Sequence, residues 1–99
     1  MIMKQADVTL QNNQILVSGD IDFSNVMSVY EKSLPLLSAA AEPRIDFSQV
    51  TSSDSSGLAL VIEWIKLAGQ QQKRIHIIHL SDDLMSIAKA ARVGHLISL

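Results

Sequence analysis

Residues 74–80, RIHIIHL, form a β-branched and nearly unbroken apolar run bracketed by two segments of helical pattern. Such a run suits a strand covered on both faces, as in a parallel sheet with helices packed against it. The segment before it, residues 55–71, spaces its apolar residues as a helix does. The segment after it starts at Ser81, a natural cap, and runs through Val93 with Leu84, Ile87, Ala88 and Ala91 on one side. Helix, buried strand, helix is the unit of an α/β fold, and the rest of the chain must supply elements that join the same sheet.

Upstream, Val8 and Leu10 alternate with polar residues, as do Ile15 and Val17 around Leu16 and Ser18, with Asn12-Asn13 between the two runs. Two residues that tolerate positive φ predict a β-hairpin with a type I′ turn. Residues 19–22, GDID, are expected to leave the sheet. Ser24 is a plausible N-cap for a helix carrying Val26, Met27, Val29, Tyr30 and Leu34. Pro35 should bend or end that helix and leave residues 36–41 as a looser last turn. Ile45 and Phe47 alternate as in a short strand, Gly94 stops the last helix, and LISL at 96–99 predicts a final strand. The order is β-β-α-β-α-β-α-β: one α/β domain over residues 1–99, a mostly parallel sheet begun by a hairpin, with helices packed against it.

Composition narrows the function classes. The 99 residues suffice for one core, and no apolar run reaches the roughly 18 residues that span a bilayer. The first residues lack the pattern of a secretory signal, and the absence of cysteine removes disulfide and thiolate chemistry, so a cytoplasmic address is expected. Net charge is −2, only Lys73 and Arg74 are adjacent cations, and the aromatics number four, which argues against a nucleic-acid surface.

The most unusual stretch is VTSSDSSGLAL, residues 50–60, where Ser52, Ser53, Ser55 and Ser56 surround Asp54 at the head of the strongest helix. A serine nucleophile would need a base beside it, and the first glycine of a nucleophile elbow is missing. His76 and His79, three apart on a strand, point to opposite faces and share no metal, so no catalytic residue, metal site or cofactor site is expected. Ser53 or Asp54 can cap the helix. A phosphoryl group on Ser55 would also be tolerated at a helix N-terminus, while adding negative charge beside Asp54 and repelling a protein docked there.

The helix that follows has two apolar stripes. Leu58, Val61, Ile62, Ile65, Ala68 and Gly69 form one, broad enough to lie on the sheet. Leu60, Trp64 and Leu67 form a second on nearly the opposite side, with Ala59, Glu63, Lys66 and Gln70 as a narrow polar edge. The second stripe could pack on neighbouring helices. The reading favoured here is a docking surface, since a helix lying on a sheet seldom buries that side and tryptophan is frequent in interface hot spots.

IDFSQVTSSDSSGLAL, preceded by VSGDIDFSNV and followed by helix, strand and helix, resembles the STAS domain. That family includes bacterial anti-sigma factor antagonists, domains of sulfate transporters, and a small subunit of the Mla phospholipid-transport ABC complex. The resemblance covers nearly the whole chain and centres on the aspartate-serine-serine-glycine-leucine turn. It implies a STAS-like sandwich.

GLALVIEWIKLAGQQQKRI looks most like the Mla branch, a stand-alone domain of about this length. That likeness implies a non-catalytic cytoplasmic subunit without cofactor, bound to the transporter's ATPase and reaching the inner membrane only through the complex. Its role would be lipid traffic between inner and outer membranes. Asp54, Ser55, Ser56 and Gly57 would then form the partner-facing turn, extended by Leu58, Leu60 and Trp64. Mla-type subunits often carry threonine at the position of Ser55, whereas sigma-factor antagonists carry a serine that their partner kinase phosphorylates. Asp54-Ser55-Ser56-Gly57 matches the antagonist pattern in full, so the resemblance also implies an alternative partner, an anti-sigma factor kinase acting on Ser55.

Overall fold

Asn12 and Asn13 both take positive φ, 51° and 64°, which is the type I′ geometry that suits the twist of the strands they join. In the computed structural model, which describes residues 5–90, β1 (Asp7–Gln11) and β2 (Gln14–Ile21) pair antiparallel around this turn. β2 does not leave the sheet at Gly19. It continues to Ile21 because β3 (Arg44–Ser53) runs parallel beside it, from Ile15 opposite Ile45 to Ile21 opposite Ser53, with two register shifts on the way. Gly19 sits at the second shift with φ +85°, and a Cβ there would stand 2.3 Å from the Gln5 carbonyl oxygen. Both conformation and space demand glycine.

β3 is therefore much longer than the Ile45 and Phe47 alternation suggests. Its outer half is polar and is held to β2 by side chains: the Thr51 and Ser52 hydroxyls both donate to the Asp20 carboxylate, Ser52 at 2.9 Å. β4 (His76–Ile78) is shorter than residues 74–80 predict. It pairs parallel with the start of β3 at the edge of a sheet ordered β1-β2-β3-β4, and His79, at φ +60°, turns the chain away.

The buried strand side chains, Val8, Ile15, Val17, Ile21, Ile45, Phe47 and Ile77, share one face and form a single core with residues of all three helices. On the opposite face the aligned row Thr9, Leu16, Asp46 and Ile78 is only half-buried. The expectation that β4 is covered on both faces fails for this reason.

α1 (Val26–Ala39) is entered differently from the sequence reading. The Ser24 N–H and hydroxyl go to the Asp22 carboxylate, and Asn25 takes the cap position, its side chain accepting from the Asp22 N–H at 3.0 Å and donating to the Asp20 carbonyl at 2.8 Å. Pro35 neither ends nor shortens the helix. Its missing N–H leaves the carbonyl of the exposed Glu31 to solvent, while Ser33 and Leu37 anchor the turns on either side in the core. The ammonium of Lys73 closes the C-terminal end, donating to the Leu37 and Ser38 carbonyls at 3.0 and 3.1 Å.

α2 (Ser55–Gln70) and α3 (Asp82–Ala90) complete the described chain. The Ser81 hydroxyl accepts from the Leu84 N–H at 3.2 Å, as its cap role requires, and Leu84 and Ala88 are buried. Ala91, Gly94 and the strand expected at 96–99 lie outside the described residues. Among the described residues no helix is long and apolar enough to cross a membrane.

Candidate functional site

The serine-rich turn is formed where β3 ends and α2 begins, beside the end of β2. Its anchor is the Asp54 N–H, which donates to the Ile21 carbonyl at 3.3 Å and so ties the turn to the neighbouring strand. Asp54 is the N-cap. Its carboxylate accepts from the Ser56 N–H at 2.8 Å and from the Ser56 hydroxyl, and its carbonyl receives the Gly57 N–H at 3.1 Å. The Ser53 hydroxyl donates to the Asp54 carbonyl at 2.9 Å. Gly57 is buried under Ser53: a Cβ at Gly57 would lie 2.0 Å from Ser53 Oγ and 3.5 Å from Leu84 Cδ1, so the turn is seated on α3 as well.

Each serine of the cluster therefore has a distinct place. Ser52 braces β2, Ser53 covers Gly57, and Ser56 is buried and bound to the cap. Ser55 is exposed, and its hydroxyl makes no hydrogen bond with any described residue. It is a free hydroxyl on a helix start where the Ser53 and Ser56 hydroxyls are already engaged.

Among the described residues the titratable groups give this hydroxyl no base. Hydrogen bonds from the Ser56 hydroxyl, and then from the Ser56 N–H, hold the Asp54 carboxyl below its ordinary value of 3.8, which makes it a poor proton acceptor. His76 pairs with Glu42 at 2.6 Å and His79 with Asp46 at 3.0 Å. Both lie toward the start of β3, beside Arg44 and Asp46, nine and seven residues before Ser53, or roughly 23–30 Å away at the strand's rise per residue. Among the described residues no group of three histidine, cysteine or acidic side chains could hold a metal ion.

The cap carries a pH dependence. The Asp54 carboxyl is depressed in the folded state, so its contribution is complete above the ordinary carboxylate range and lost as pH falls through the depressed value. Thermal melts taken from pH 7 down to about pH 2 should show Asp54→Asn losing less stability over the acid limb than the parent.

The structure separates the expected site residues. Asp54 and Ser55 are at the surface, whereas Ser56, Gly57 and Leu58 lie beneath them. The expectation that Leu60, Trp64 and Leu67 stand clear of the domain's own elements is corrected. Leu60 is buried, Trp64 is 0% exposed, and Leu67 is half-buried near Leu37 and Pro43. α2 is rotated about its axis relative to the sequence reading, so Leu60 and Trp64 turn inward with Val61 and Ala68, while Ile62 and Ile65 are half-buried and Gly69 is exposed.

The physical reason is a polar partner for the indole. Trp64 Nε1 donates to Ser33 Oγ at 2.8 Å, Ser33 Oγ donates to the Tyr30 carbonyl at 2.6 Å, and the Trp64 ring meets Phe47 edge-on at 6.0 Å. The signal for it lay in α1, where Val29, Ser33 and Leu37 recur every fourth residue and place a lone serine on an apolar stripe. Sequence reasoning also missed Asp20, Asp22 and Asn25, which brace the turn's neighbour β2 and the entry to α1.

Comparison with known proteins adds three likenesses. A family model described as "Mlab, STAS domain" matches residues 5–98. The anti-sigma-B factor antagonist of Bacillus subtilis (strain 168) is 28% identical over 74 residues, which cover 75% of this chain and 68% of that protein. The solved structure of the anti-sigma factor antagonist SpoIIAA in its unphosphorylated form has a TM-score of 0.71 against this chain. It covers 95% of this chain and 86% of its own at 15% identity, a likeness of fold alone.

Proposed function

This chain belongs to the Mlab type of STAS domain, and from that premise we propose that it is a non-catalytic binding subunit of an intermembrane phospholipid-transport ABC complex. It docks on the transporter's ATPase through the turn at Asp54–Gly57, regulates ATP hydrolysis, and works at the cytoplasmic face of the inner membrane without being inserted in it. The observation that carries the reading is the exposed Ser55 hydroxyl, unbonded within the described chain, on a turn made rigid by Asp54, Ser56 and Ile21. A rigid surface that presents one hydroxyl to solvent supports binding, and among the described residues no base neighbours it, which argues against turnover.

A second reading has its own support. The B. subtilis relative is named as an anti-sigma factor antagonist, and Asp54-Ser55-Ser56-Gly57 fits a kinase-phosphorylated serine. On this reading the partner is an anti-sigma factor kinase and the same free hydroxyl accepts the phosphoryl group.

One experiment distinguishes the two. The purified chain is mixed with the ATPase subunit of the phospholipid-transport ABC complex and, separately, with an anti-sigma factor kinase and ATP, both from the same cell. A stable complex with altered ATP hydrolysis is expected in the first tube and no phosphoryl transfer in the second. Phosphate on Ser55, seen by mass spectrometry, with no ATPase complex would replace the transporter reading with the regulatory one.

A further inference from the structure

An apolar cleft of about 180 Å3 opens between α1 and α2, lined by Val26, Met27, Tyr30, Ala59, Leu60 and Glu63. It is smaller than the roughly 300–1,000 Å3 of small-molecule sites, and its size suits an inserted side chain. Met27, at 64% exposure, lies on its wall, and Phe23, in the turn that leads into α1, is 75% exposed. Single exposed apolar residues are ordinary, but these are two of the three large ones that the described residues expose, and they lie four residues apart in the chain at the start of α1. Ser55, Ala59 and Glu63 follow each other at four-residue spacing and are all exposed. The free hydroxyl and one wall of the cleft thus share a single stripe of α2.

The charge around this stripe is mostly negative. Asp22 supplies the carbonyl that receives the Val26 N–H, Asp54 precedes Ser55, Glu31 lies one turn beyond Met27, and Glu63 forms part of the wall. Asp82 and Asp83 open α3, whose Leu84 approaches Gly57. Of the described cations, Lys32 pairs with Asp7, Lys73 binds the end of α1, Arg44 and Arg74 sit where β3 and β4 begin, and Lys89 stands in the last turn of α3, at the other end of that helix from Asp82 and Asp83. Lys66 stands beside the stripe, 3.4 Å from Glu63.

We propose that the cleft receives an apolar side chain from a helix of the partner protein, and that lysine or arginine residues flanking that side chain meet the acidic rim. The inference rests on the partner-binding reading above and extends it from the Ser55 turn to α1.

The test uses the full chain with the ATPase subunit of the phospholipid-transport ABC complex and, in parallel, with the anti-sigma factor kinase. Met27→Lys and Ala59→Arg should each weaken the complex at least about tenfold, with unchanged melting midpoints. Leu10→Lys, at an exposed apolar residue of β1, should bind as the parent does. A photo-crosslinker placed at residue 27 should capture a partner peptide in which an apolar residue has lysine or arginine neighbours. Parental affinity in both cleft variants overturns this inference and leaves the binding reading standing. A crosslink to a second copy of this chain, with self-association lost in Met27→Lys, overturns it in favour of a homodimer. Failure of the parent chain to bind either protein removes both readings.

Discussion

Trp64→Ala is expected to destabilise the domain by about 3–5 kcal/mol, as truncation of a fully buried aromatic does. At roughly 4–8 °C per kcal/mol for a domain of this size, the melting midpoint should fall by more than about 10 °C. Three observations set the size of the effect: the side chain is 0% exposed, its ring packs edge-on against Phe47 at 75°, and its N–H is bound to Ser33. Ser33→Ala should cost about 1–3 kcal/mol, because it leaves the indole N–H buried without a partner. In a Trp64→Phe background the same serine substitution should cost less, since no indole N–H is left unpaired while the Ser33 hydroxyl still reaches the Tyr30 carbonyl. Denaturant melts of the four proteins give the coupling directly. A Trp64→Ala protein that melts like the parent would return the indole to the surface and restore Leu60, Trp64 and Leu67 as a docking stripe.

The same residues explain where the sequence was legible. Local chemistry announced itself. Asn12-Asn13 had one economical use between two alternating runs, and Asp54 before an apolar helix could hardly avoid capping it. Long-range choices did not. α2 carries apolar side chains around most of its circumference, so its own pattern permits several rotations, and the one adopted depends on Ser33 and Phe47 in other elements. The outer half of β3 was hidden for a related reason. Ser48, Gln49, Thr51 and Ser52 are exposed and show no alternation, and what keeps them in the sheet is the parallel partner β2 and the Asp20 carboxylate. Pro35 shows the limit of a local rule, since tertiary anchoring at Ser33 and Leu37 outweighs one lost backbone bond at a solvent-facing carbonyl. In the candidate site, the motif pointed to the turn as a whole, but only the hydrogen bonds single out Ser55 from its three neighbours.

Ser55→Glu and Ser55→Asp are expected to leave the fold unchanged and to weaken the partner complex by about 2 kcal/mol or more, roughly thirtyfold. The fold tolerates the charge because the side chain is exposed and an anion at a helix N-terminus is favoured by the helix dipole. The complex does not, because a carboxylate placed under the contact is desolvated with no counter-charge aimed at it. Cations on the partner are drawn instead to Glu63 and Glu31, around the cleft two turns further along α2. Ser55→Gln, similar in size to glutamate but neutral, separates bulk from charge: if charge dominates, it should retain most of the affinity that Ser55→Glu loses. Melting midpoints and titration calorimetry against the ATPase provide both readouts. Parental affinity in both acidic variants takes Ser55 out of the contact. Tighter binding would mean that a partner cation lies directly over the turn, and a phosphoryl group there would then strengthen the complex rather than release it.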